Sequence, residues 1–308
     1  MHPMIRTSRR RRRSDGAARG VFQLAALFTF VITVLIIGTL AIDAWGFLSK
    51  LADTPDGLGS LTAIGWFPRR GLYDIGTLVV GTLIVTGIAM LVAVPLGLGA
   101  AIFLSEYARP RLRRYVKPLL EILAGIPSVV LGYFAIAVIN PDFVVNLFSN
   151  ASKAFTLMAA GIGVGILTIP IIASVAEDAL RAVPHALREA SSGLGAKRSQ
   201  TTFRVIIPGA ISGIVAALIL GMSRAIGETM VVAIAAGAVG GGLFQLTPLQ
   251  PGQTMTGAMA ALGFGSDQVA GDNLAFESLY FVGLLLFVMT FLLNYLSDRL
   301  VTRFREAY

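Results

Sequence analysis

The chain has 308 residues, 55% of them hydrophobic and 14% charged, where a soluble domain carries about 25% charged residues. It has no cysteine and two histidines, His2 and His185, which excludes disulfides, thiol nucleophiles and a Cys- or His-rich metal centre. A net charge of +8 would point to nucleic acid in a soluble protein, but the basic residues here are placed as a membrane protein places them.

A spanning helix needs about 20 mostly apolar residues, and six stretches qualify. An arginine-rich arm, residues 1–20, comes first; its run Arg9–Arg13 reads as a topology anchor that touches anionic lipid. The spans are expected at about 21–42, 76–104, 118–139, 154–176, 209–237 and 276–296. Pro95, Pro127 and Pro170 are expected to kink the second, third and fourth spans. Glu121, at the start of the third, is expected to pair with a nearby Arg or Lys. Segment 43–75 reads as a short excursion. Segment 238–275, glycine-rich and interrupted by Pro248 and Pro251, is expected to dip partly into the membrane. No internal repeat or soluble domain appears, so residues 21–308 read as one all-α, polytopic transmembrane domain.

The charges orient it. Of 25 Lys and Arg, 20 fall in segments 1–20, 105–117, 177–208 and 297–308. The alternate segments hold only Lys50, Arg69, Arg70 and Lys153, and Arg224 lies inside the fifth span. The positive-inside rule places both termini in the cytoplasm.

Segment 177–208 lies between spans four and five. Leu180, Val183 and Leu187 recur at helical spacing, Gly193 and Gly195 are placed to end a helix, and a second short helix is expected from Lys197 to Pro208. The segment resembles the coupling sequence of ABC importer permeases. Glu189-Ala190-Ser191 is followed, after three residues, by Gly195; nine residues beginning at Ala196 then lead to Val205-Ile206-Ile207-Pro208. The spacing agrees throughout. The departures, Ser191, Val205 and Ile207, are mild. The resemblance implies a type I importer permease fold in which Glu189, Ala190, Gly195, Ala196 and Pro208 belong to the contact with an ATPase. No glycine-rich phosphate loop GxxxxGK[ST] occurs in the chain. This chain is therefore expected to carry no cofactor and no catalysis of its own, with ATP and Mg on partner subunits.

Arg224 and Glu228 stand at i and i+4 in the fifth span and share a face. Charges at such depth usually face a cavity and find a partner. Residue chemistry leaves two readings open: a structural ion pair, or an arginine fork that meets an oxyanion with Glu228 holding it. Ser128 and Thr229 are weaker candidates for the same path; Ser128 could equally bond its own backbone.

The run Arg224-Ala225-Ile226-Gly227-Glu228-Thr229-Met230 resembles the permeases of the phosphate-specific (Pst) system. So do residues 101–108 (AIFLSEYA) and 123–130 (LAGIPSVV), and Pro251–Thr256 is closer to the PstC branch than to PstA. The resemblance covers about residues 70–300. It implies import of inorganic phosphate across the bacterial inner membrane. It also implies as partners a paralogous PstA-type permease, two copies of an ABC ATPase and an extracytoplasmic phosphate-binding protein, with the lipid bilayer and no nucleic acid. A permease for another oxyanion, sulfate or molybdate, is the nearest alternative. An ion-coupled secondary transporter fits the coupling segment poorly. A membrane enzyme lacks paired catalytic carboxylates or a metal-ligand cluster.

Overall fold

The computed structural model describes residues 9–55, 57–62, 64–237, 247–264 and 273–304. Residues 1–8 of the arginine-rich arm, and much of segment 238–275 with its expected dip into the membrane, lie outside them. Five helices are long and apolar enough to cross a membrane: Ala18–Ala52, Ile75–Tyr107, Ser128–Val145, Leu157–Ala182 and Leu274–Leu296. A sixth span results if Arg198–Gly209 and Ile211–Ile226, which meet at 72°, are taken together. This is the all-α, polytopic fold expected from hydropathy. The strands among the described residues are one two-residue antiparallel pair, Trp66–Phe67 with Leu72–Tyr73.

The first helix, α1 (Arg9–Ala52), stands at the edge of the bundle, and its apolar window is 0% buried within the chain. It runs antiparallel to α12 (Asn273–Phe304): Leu40 lies against Gly283, Phe47 stacks near Phe281, and Lys50 forms an ion pair with Glu277. Its outward Phe22, Phe28 and Leu35 are exposed, as suits side chains solvated by lipid.

The core is a pair of parallel helices, α2 (Ile75–Ile102) and α5 (Leu157–Ala182). Each starts at a capping side chain. Asp74 accepts from the Thr77 amide at 3.0 Å, and Thr156 from the Ala159 amide at 3.0 Å, which satisfies donors that a helix start leaves unpaired. Small residues set their separation. A methyl group added at Gly161 would sit 2.7 Å from Ile88, and one at Gly97 2.9 Å from Ile172. Such close approach through small residues is how membrane helices gain packing energy when lipid removes the hydrophobic drive.

The third span differs from its expected position. Residues Pro110–Ala124 form a separate amphipathic helix, α3, with no buried residue. The chain then breaks at Gly125–Pro127, and the span itself is α4 (Ser128–Phe134) continued by a π-helical segment, Ala135–Val145. The cause is local. Arg111, Arg113, Arg114 and Lys117 load α3 with charge, and the residue before Pro127 avoids helical geometry. Pro127 therefore precedes a span instead of kinking one. Glu121 is exposed on α3 and makes no ion pair among the described residues.

Beyond α5 the chain forms α6 (His185–Gly193), α7 (Arg198–Thr201), a π-helical turn Thr202–Ile206 and α8 (Ile207–Gly209). It then returns through α9 (Ile211–Ile226), antiparallel to α5, with Gly213 on Ala179 and Gly221 on Ile172. Short helices α10 (Met230–Ala235) and α11 (Met255–Phe264) follow. Two buried clusters close the ends of the bundle. Ala101, Leu180, Ile206 and Ile214 pack at the end that carries α6; Phe47, Trp66, Tyr73, Met255 and Val282 pack at the other.

Candidate functional site

The fifth expected span is not one helix. It stops at Gly227, whose amide still bonds to the Ser223 carbonyl, and restarts at Met230 as α10. Alone, α9 rises about 24 Å, short of the roughly 30 Å hydrocarbon core. Arg224 and Glu228 flank it. The Arg224 guanidinium meets Glu228 through one contact, Nη2 to Oε2 at 3.4 Å; the arginine side chain is 49% exposed and the carboxylate 4%. Arg224 also sits in the last turn of α9, where a cation is favoured by the helix carbonyls.

The carboxylate is held from behind. Its Oε1 accepts from the Val231 amide at 3.4 Å at the start of α10, and the Glu228 carbonyl accepts from the Thr256 hydroxyl at 2.8 Å. Thr256 thus pins the break from α11, a role that residue spacing did not show. Thr229 is half-buried, with its hydroxyl donating to the Gly227 carbonyl at 3.3 Å. Ser128 is the first residue of α4, which packs on α10 through Gly132 against Ile234. Among the described residues no hydrogen bond joins Ser128 to Arg224 or Glu228. The structure therefore joins Arg224 and Glu228 directly with Thr229 beside them, and gives Ser128 no bond to either.

At the α6 end the two helices meet in a tight turn. Gly195 adopts φ +78°, a conformation that L side chains resist. The Gly195 amide bonds to the Ser192 carbonyl at 3.0 Å and the Ala196 amide to the Ser191 carbonyl at 3.2 Å, the Schellman arrangement that ends a helix. Gln200 reaches back to the Lys197 amide to start α7, and the hydroxyls of Ser191 and Thr201 join across the turn at 2.8 Å. Glu189, Ala190, Gly195 and Pro208 are exposed and Ala196 is half-buried. Leu194, at the tip, is 90% exposed. Leu180 and Val183, expected in this helix, instead belong to the end of α5 and to the break at Pro184, where they are buried.

Two buried carboxylates, neither given a role from its place in the sequence, organise this end. Glu106, in a π-helical segment Phe103–Tyr107, receives Arg188 of α6, with Nη1 2.6 Å from both of its oxygens. Glu177, in the last turns of α5, receives Arg113 at 2.5 Å and Lys117 at 3.3 Å from α3. The Lys117 ammonium is held above its ordinary pKa. Burial, the largest single influence, pulls it down, but hydrogen bonds to Asp178 and Glu177 and their negative charges outweigh it.

The sequence matches the family described as "Binding-protein-dependent transport system inner membrane component" over residues 93–306. The chain belongs to that family of ABC transporter permeases. It is 33% identical to the phosphate transport system permease protein PstC of Haemophilus influenzae over 92% of this chain and 92% of that one. It is 35% identical to PstC 1 of Mycobacterium tuberculosis over 77% and 74%. A probable ABC transporter permease of Bacillus subtilis, YqgH, is 30% identical over 95% and 94%. Among solved structures, the fold resembles a chain of a bacterial alginate ABC transporter at TM-score 0.63 and 17% identity, covering 93% of this chain and 97% of that one. A chain of the MetNI methionine transporter matches at TM-score 0.56 and 21% identity, covering 73% and 93%.

Membership settles the division of labour. This permease is a non-catalytic, multi-pass component of a bacterial inner membrane, and ATP is bound by the ATPase partner of the complex, which also includes a periplasmic binding protein.

Proposed function

We propose that this chain is the PstC-like permease subunit of an ATP-driven importer of inorganic phosphate, paired in the membrane with a paralogous PstA-type permease and energised by two ATPase copies. The observation that carries this reading is the helix break with a half-exposed arginine. Among the described residues Arg224 is held by one contact to a buried Glu228, which leaves guanidinium N–H groups for an anion. The planar fork suits a phosphate oxygen pair. Glu228 keeps the arginine at its post and limits how tightly the anion is held, as passage through a membrane requires. The anion itself is drawn from the relatives named as phosphate permeases.

The exposed turn Glu189–Ala196 supports docking of the ATPase, with Leu194 as the apolar tip that a groove would cover. The distribution of basic residues supports cytoplasmic termini. An impermeant thiol reagent should label Thr62→Cys in intact, outer-membrane-permeabilised cells and Arg111→Cys only in inverted vesicles; the reverse pattern contradicts that orientation. Substrate is tested by ATP-driven uptake of labelled phosphate into proteoliposomes holding the full complex. Unlabelled phosphate should compete and sulfate or molybdate should not; competition by sulfate alone would reassign the anion.

A further inference from the structure

Helix α6 has nine residues and none of them is buried. It hangs between a break at Pro184 and the left-handed Gly195, so apolar packing does not hold it. Arg188 does. Besides its two contacts of 2.6 Å to Glu106, its Nη2 donates to the Leu180 carbonyl at 2.8 Å, one of the last-turn carbonyls that helix geometry leaves without a partner. The arginine side chain is 19% exposed and the glutamate 6%. One guanidinium therefore ties α6 both to the end of α5 and to the π-helical end of α2.

A second tie joins the same places. The Arg198 guanidinium of α7 lies 5.5 Å from the Tyr107 ring centre, a cation–π distance. Both halves of the turn are thus fixed to residues 103–107, where the helix widens into a π segment, a form enriched at functional sites. Glu106 is braced in turn by the Ser105 hydroxyl at 2.7 Å.

We propose that the Arg188–Glu106 pair is the link that carries displacement of α6 into α2, so that Arg188 is a positioning residue for coupled transport and touches neither substrate nor nucleotide. A static role in stability accounts for the pair less well. Buried ion pairs are weak stabilising devices compared with apolar packing, and the Arg188 Nε is buried with no hydrogen-bond partner among the described residues. A directional clamp between a short exposed helix and a 28-residue helix seated on α5 transmits a push in a way that lipid-like packing cannot. The inference rests on reading the α6–α7 turn as the ATPase docking point.

The test uses the complete complex in proteoliposomes, with ATP hydrolysis measured with and without phosphate-loaded binding protein and phosphate moved per ATP counted. Arg188→Gln and Glu106→Gln should each retain the ATPase subunit on co-purification. Each should cut stimulation by the loaded binding protein at least about fivefold, the lower end of allosteric couplings, and lower phosphate moved per ATP. The exchange Glu106→Arg with Arg188→Glu should restore part of both. Unchanged stimulation in the assembled Arg188→Gln complex overturns the proposal, as does a loss confined to Arg188→Gln with Glu106→Gln normal. If both variants shed the ATPase subunit, the pair is a folding element and the proposal falls. Leu194→Asp is the separate control for docking: if it retains the ATPase and full coupling, the docking reading fails whatever Arg188 does.

Discussion

Two arginines of this chain each face a buried glutamate, and the pairs are built for opposite ends. Glu228 and Glu106 are 4% and 6% exposed, nearly alike. Their partners are not: Arg224 is 49% exposed and meets its glutamate through one contact at 3.4 Å, while Arg188 is 19% exposed and meets both carboxylate oxygens at 2.6 Å. The first pair spans four residues across a broken helix; the second joins residues 82 apart. Burial of the acid therefore does not distinguish the two pairs. On the proposed reading, what sets a substrate site apart is a cation with donors left to give, next to backbone that has stopped being helical. A clamped arginine holds protein to protein, and a loosely held one is available to an anion.

The comparison can be broken from either side. The largest effect is expected at the loose pair: Arg224→Gln should abolish phosphate uptake while the complex still assembles, as read by transport normalised to co-purified subunits. Next comes the turn at Gly195, the proposed docking point. Gly195→Val forces a β-branched side chain into left-handed backbone, at about 1–2 kcal/mol for the handedness alone, and should weaken ATPase retention and uptake together. Gly195→Asn, which tolerates that conformation, should recover most of both.

The smallest effect is expected at Glu177, whose partners stand 27% and 28% exposed. Breaking a fully buried pair costs about 3–5 kcal/mol; with solvent reaching Arg113 and Lys117, Glu177→Gln should lower the melting temperature of the purified complex by less than that implies and leave transport per complex near normal. The sign with pH follows from Lys117. Its pKa is raised on folding, so its stabilisation is complete below the unfolded value of 10.5 and lost as pH rises through the folded one. The melting difference between wild type and Lys117→Met should be flat around neutrality and shrink only in strong alkali; a difference that grows in alkali would contradict the assigned cause.

The turn at Gly195 was legible in the sequence because its geometry is local. A helix stop at Gly193–Gly195 and a restart at Lys197 need no distant residue. Most of the spans were legible for the same reason, since each is a run of apolar residues of membrane length; the fifth was not, because its apolar run is broken at Gly227 and a sixth crossing results only if Ile211–Ile226 is taken with Arg198–Gly209. The third was misplaced because the apolar run from Pro118 was counted by length and not by period. The basic residues of α3 recur on one face, and Ile126-Pro127 marks the true start. Arg224 and Glu228 showed themselves by their spacing, but the break between them did not. Gly227 and Thr229, a helix-ending residue and a capping residue two apart, were its available signal. Arg188–Glu106 and Glu177–Arg113 had no signal in spacing, because each pair is made by the fold.

The claim that Arg224 meets the transported anion is tested most directly by neutralising the pair together. Arg224→Gln with Glu228→Gln removes both charges at once, so neither is left buried alone, and assembly should recover from any loss seen in the single variants. Labelled phosphate uptake per assembled complex then separates the two uses of an ion pair. The account predicts restored assembly with uptake still absent; near-normal uptake by the neutral pair would make Arg224–Glu228 a structural ion pair and contradict it.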